Sequence, residues 1–121
     1  MKFLLPIFTL LLLASCDPGI THYTRYENQT PYSLKITSPN IPGDSVIIAP
    51  NNITTALETS GIGNANEYSN CPFAVDSVLI ECKDTNLTFQ GNLNWQFSIL
   101  KEKFTKSETE CRAIIDNSML R

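Results

Sequence analysis

The sequence predicts an all-β chain: a single antiparallel β-sandwich, immunoglobulin-like or related, behind a cleaved signal peptide. Three observations predict it. Short segments rich in Val, Ile, Thr, Tyr and Phe alternate apolar with polar residues, the period-2 pattern of half-buried strands. Clusters of Gly, Pro, Asn, Asp and Ser separate them at fairly regular spacing. No long amphipathic helix competes with this reading.

The chain has 121 residues and opens on a separable stretch. Lys2 is the only charge in 1–15, Phe3 to Leu13 is apolar apart from Thr9, and the small residues Ala14 and Ser15 follow. That is the charged, apolar and small-residue order of a signal peptide. The apolar run is shorter than the roughly 20 residues needed to span a bilayer. The expected organisation is a signal peptide over 1–15, a tether over 16–20 and a β-sandwich domain over 21–121.

"THYTRYEN" (Thr21–Asn28) is rich in strand formers, and "NQTP" after it reads as a turn. In "YSLKIT", Tyr32, Leu34 and Ile36 share one face. "SPNIPGD" breaks the chain before the short apolar strand "SVIIA", which Pro50 stops. "ITTALET" (Ile53–Thr59) is a weaker strand or a short helix, and 60–72 reads as a loop. "DSVLIECK" alternates again, with Val78, Ile80 and Cys82 together. "LTFQ" and "NWQFSIL" flank "GN" as a hairpin-like break. "KEKFTKSETE" (Lys101–Glu110) reads as a charged connection, one helical turn or a hairpin, before the final strand "CRAII". The expected core is Tyr32, Leu34, Ile36, Val46, Ile48, Val78, Ile80, Trp95, Phe97, Ile99 and Ile115.

Nine basic and 12 acidic residues give a net charge of −3. Removing 1–15 takes away Lys2 alone, which leaves 8 basic against 12 acidic residues, a net charge of −4. A mildly acidic domain without a Lys/Arg run has no electrostatic footprint for nucleic acid. Catalytic chemistry is equally sparse. His22 is the only histidine, no Gly-x-Ser-x-Gly is present, and His22 reads as a strand surface residue. No Cys-x₂-Cys pair or EF-hand spacing exists, so neither a metal nor another cofactor is expected. A binding or interaction module is therefore expected rather than an enzyme. The alternatives are a structural accessory subunit of an envelope complex and, behind it, a small carboxylate-dependent hydrolase. Tyr23, Tyr26, Tyr68 and the loop over 60–70 are the expected contact residues, for an envelope protein or a glycan.

"LASC" (Leu13–Cys16) resembles the lipobox of bacterial lipoproteins. The resemblance implies that Cys16 receives a diacylglyceryl group on its thiol, becomes the new N-terminus and is acylated there too, typically with palmitate. Two or more acyl chains make a stable anchor. Asp17 resembles an inner-membrane retention signal in some enteric bacteria but carries no such meaning in other phyla. The expected location is thus the cell membrane or the outer membrane, periplasmic or surface-exposed. With Cys16 used, Cys71, Cys82 and Cys111 remain. Export permits a disulfide, and Cys71–Cys111 is favoured because it would pin the long loop to the last strand; Cys82–Cys111 is the rival.

"DSVII" (Asp44–Ile48) and "DSVLI" (Asp76–Ile80) are near copies. A recurring turn-to-strand junction accounts for them. Both also resemble the Asp-Ser/Thr-aliphatic O-glycosylation site of exported Bacteroidota proteins, with Ser45 and Ser77 as acceptors. Together with the lipobox, "Y…N-x-T-x-Y-x-L-x-I" (Tyr26–Ile36), "CP" (Cys71–Pro72) and "NW" (Asn94–Trp95), the layout resembles small, uncharacterised lipoproteins of Bacteroidota. That likeness implies an envelope β-domain and assigns no activity.

Overall fold

The computed structural model describes residues 18–121 other than 64, 66, 67, 69, 72–75 and 104. Cys16, Asp17 and the stretch 1–15 expected to be a signal peptide lie outside the described residues. The described chain is a β-sandwich without an α-helix. Its strands are β1 (Gly19–Asn28), β2 (Leu34–Thr37), β3 (Ser45–Ile48), β4 (Ile53–Ile62), β5 (Ser77–Cys82), β6 (Thr88–Asn92), β7 (Trp95–Glu102) and β8 (Lys106–Ile115). A 3-10 turn, Asn117–Met119, follows, with the Asp116 side chain accepting from the Ser118 N–H at its start.

Two four-stranded sheets form, one in the order β4-β1-β8-β7 and the other in the order β3-β2-β5-β6. Every pairing but one is antiparallel. The exception joins the first and last strands: β1 and β8 run parallel from Gly19↔Lys106 to Asn28↔Ile115. The repeated "DSVxI" copies become β3 and β5, both antiparallel to β2 and on either side of it. Ile36 pairs with Val46 on one side and Ile80 on the other. The repetition is thus a structural one: two equivalent strands supply the same apolar face to one core.

That core is fully buried at Leu34, Ile36, Ile48, Ile80 and Ile115, with Tyr26, Val78, Cys82, Leu93 and Ala113 around them. The ring of Trp95 stands edge-on to Tyr26, with centroids 5.3 Å apart. Free Cys82 faces the core as a small apolar side chain; burial pushes its thiol pKa up, against a lesser pull from Thr85. Asn28 is completely buried and closes the end of the core. Its amide donates to the carbonyls of Tyr32, Ile48 and Ala49, and its Oδ1 accepts from the Thr30 N–H and hydroxyl. A buried amide must be satisfied in this way, so the "N-x-T-x-Y" segment is a polar clamp for the first turn.

Two open readings are resolved, to a strand and to a hairpin, and two expectations are corrected. "ITTALET" belongs to a ten-residue strand, β4, which also takes Ser60 to Ile62 out of the expected loop. "KEKFTKSETE" is the end of β7, a tight turn and the first half of β8. In β8 the charged residues Lys106, Glu108 and Glu110 fall on the outer face of the sheet while Ser107 and Thr109 point inward and are buried. Ile99 is 42 % exposed instead of core, because β7 is an edge strand that bulges beside it. Gly19 and Ile20 lie in β1 rather than in the tether, and Ile20 is buried.

Candidate functional site

Strands β1 and β8 have ten residues each, whereas β2 and β5 have four and six. At about 3.3 Å per residue, the first sheet extends well past the second. Its inward residues beyond the core are His22 and Thr24 of β1, Thr109 and Cys111 of β8, Leu57 and Thr59 of β4, and Phe97 of β7. The segment after β4 lies over them. Gly63 N–H donates to the Pro18 carbonyl, Ala65 is buried, Tyr68 meets His22, and Cys71 is joined to Cys111 by a disulfide with Cα atoms 5.7 Å apart.

Between sheet and segment is a cleft of about 120 Å³ lined by His22, Thr24, Thr59, Tyr68, Asn70 and Phe97 among others. A larger depression of about 270 Å³ on the outer face of the second sheet, beside Lys35, Ile47 and Glu81, is more open and has no aromatic lining. The smaller cleft is the one where rings and polar groups converge.

His22 is the centre of this cleft. Its Nδ1 lies 2.5 Å from the Thr109 hydroxyl, and Tyr68 approaches its ring edge-on at 4.5 Å. Burial lowers its pKa below the ordinary histidine value of 6.5, so the imidazole is neutral at pH 7. Nε2 has no protein partner among the described residues. Among the described residues of the lining there is no carboxylate beside the ring. The described lining offers an aromatic wall, threonine hydroxyls, one amide and one imidazole.

The opposite face of the same sheet is ionic. Arg25 Nη1 lies 2.7 Å from Glu110 Oε2, and Arg112 contacts both Glu110 and Glu27 at 2.9 Å. Arg112 Nη2 donates to Glu110 Oε2 at 2.9 Å, whereas its Nε–H is not aimed at Glu110 Oε1 well enough to make a hydrogen bond, so the Nε contact alone is Coulombic. Glu110 is buried, which pushes its carboxyl pKa up. Hydrogen bonds from Arg112 and Arg25 outweigh that and hold it below the usual carboxylate range. Arg25 also stacks on Tyr23, 4.3 Å from the ring centroid.

Of the three expected contact tyrosines, Tyr68 and Tyr23 border the cleft. Tyr23 is committed to Arg25 on the outer face, and Tyr26 is a core residue, 2 % exposed, whose hydroxyl pKa is pushed up to about 12 by burial. His22, expected on the surface, is an inward, half-buried residue instead. Thr109 carries no sequence signal as a partner for it, since the two meet only through the parallel pairing of β1 and β8. Ser45 and Ser77 open β3 and β5; Ser45 is half-buried and Ser77 exposed. Among the described residues no three His, Cys, Asp or Glu side chains converge as a metal set. Comparison with protein-family models, with curated proteins and with solved structures returns no match.

Proposed function

We propose that the protein is a lipid-anchored cell-envelope binding module. Cys16 carries the acyl groups, and the cleft at His22, Tyr68 and Thr109 takes a small neutral ligand of glycan type. The observation that carries the ligand reading is the convergence of Tyr68, the neutral His22 imidazole and three threonine hydroxyls where the second sheet stops short. Sugar rings offer an apolar face to an aromatic wall and hydroxyls to groups of this kind. The anchor rests on "LASC" at the end of an apolar run.

The only histidine of the chain is the reporter. Neutral hexoses and N-acetylhexosamines, titrated singly, should shift the His22 ring resonances in a saturable way. Tyr68→Ala should weaken that response at least tenfold. His22 resonances unmoved by every sugar would reject the glycan reading. The anchor has its own test: a fatty-acid analogue should label the protein, and the label should vanish in Cys16→Ser. Ser45 and Ser77 are proposed as O-glycan acceptors, to be checked by an intact-mass increment lost in the double Ser→Ala variant.

A further inference from the structure

The end of the sandwich where β1 begins differs in charge from the rest. Lys101 near the end of β7, Lys103 just after it and Lys106 at the start of β8 stand against one glutamate in that stretch, Glu102, in a domain that is acidic as a whole. Lys103 and Lys106 are exposed and exchange backbone hydrogen bonds across the turn, 3.1 and 3.3 Å, which fixes its shape. Gly19, the first residue of β1, donates its N–H to the Thr105 carbonyl at 3.1 Å and pairs with Lys106 and with Ile62. Ile62 is 74 % exposed, the most exposed large apolar side chain described. Three lysines of the mature chain and a bare isoleucine therefore surround the point from which the chain leads back to Cys16.

That lead is short. Gly19 is three residues from Cys16, a span of at most about 11 Å. The Debye length at physiological salt is about 8 Å, so a lysine at this end sits within the field of an anionic bilayer surface. Glu58 and Glu108, the next acids along β4 and β8, pair toward Tyr23 and Lys101, farther up the strands; Asp17 is the one acid on the lead itself.

We propose that Lys103, Lys106 and Ile62 rest on anionic phospholipid headgroups and set the domain upright on the membrane. Lys103 and Lys106 meet the phosphates, and Ile62 enters the headgroup layer. This inference rests on the anchoring of Cys16, and the experiment separates the two. Full-length protein is placed in vesicles of phosphatidylcholine alone or with phosphatidylglycerol. A fluorophore is attached at Thr105→Cys or, at the far end of the sandwich, at Asn52→Cys, and a headgroup spin label quenches it. Quenching at 105 should exceed that at 52, and the excess should grow with phosphatidylglycerol and shrink in high salt. It should also fall in the Lys103→Gln/Lys106→Gln variant, whose thermal midpoint should match wild type. An excess indifferent to phosphatidylglycerol, salt and both lysines would overturn the proposal. Intact mass reports the acyl groups independently. If it shows none, the same protein is tested by co-sedimentation with the same vesicles. Binding that requires phosphatidylglycerol and drops about fivefold for each lysine neutralised upholds the surface without the anchor; no phosphatidylglycerol-dependent binding overturns it.

Discussion

The two halves of the long sheet are closed by different means. Toward Asn28 and Ile115, its inner face meets the second sheet, and Ile, Leu, Val and Ala fill the space. Toward Gly19 and Lys106 there is no second sheet. There the inward residues mix His22, Thr24, Ser107 and Thr109 with Ile20, Leu57 and Phe97, and Cys71 of the covering residues is tied on by the Cys71–Cys111 disulfide. One half is closed by apolar burial, which grows with contact area. The other is closed by a covalent bond, the buried Ile20 and Ala65, and the ring contact of Tyr68 with His22. A sheet left without an apolar partner has a place for hydroxyls and an imidazole, and that is where a cleft forms.

This contrast can be broken from either side. The largest effect should come from Cys71→Ser with Cys111→Ser. The bond closes a loop of 40 residues, and its loss should cost about 4 kcal/mol by the chain-entropy relation. Urea unfolding measures the loss, and the His22 resonances should also move as Tyr68 is released. Next comes the apolar half: Ile80→Ala, at a fully buried site, should cost about 3 kcal/mol and leave the His22 resonances in place. If it moved them as much as the disulfide variant does, the halves would not be distinct.

On the ionic face, Glu110→Gln should cost about 1–2 kcal/mol, because two partly exposed guanidinium groups lose their shared carboxylate. Glu110 has a folded pKa below its unfolded one, so its stabilisation is complete above the ordinary carboxylate value near 4.5 and is lost as pH falls through the folded pKa. The variant should flatten stability against pH in that acidic range. Smallest is the cleft itself. Thr109→Val should cost about 1 kcal/mol, as His22 Nδ1 loses its partner. In the wild type, an NMR titration should place the His22 pKa below 6.5. The folded state then binds fewer protons than the unfolded one just below pH 6.5, so stability should decline as pH falls through that window.

The sequence made the apolar half legible and the polar half opaque, for a physical reason. Leu34, Ile36, Val78 and Ile80 alternate because one face of each strand is dry, and that pattern is local. In Lys106–Ile115 the alternation exists too, but it is Ser and Thr against Glu and Arg, which reads as a charged connection. Its charges are satisfied by Arg25 and Glu27, some 85 residues earlier. Tyr26 looks like a surface strand tyrosine until Trp95 stands beside it. The cleft joins residues 22, 68 and 109, and no window of sequence holds two of them. The disulfide was legible, because a loop cysteine and the only cysteine on the last strand offered a natural closure.

The parallel pairing of β1 with β8 also governs when the molecule can exist. Thr21 pairs with Glu108, 87 positions later, and contacts of such separation make folding slow. Until the last strand is available, β1 has only β4 beside it, the long sheet lacks its centre, and Cys111 has not arrived to meet Cys71. A chain threaded N-terminus first across a membrane would emerge with its first strand incomplete and would mature only after its tail had followed. The long sheet therefore closes only once the last strand has joined the first.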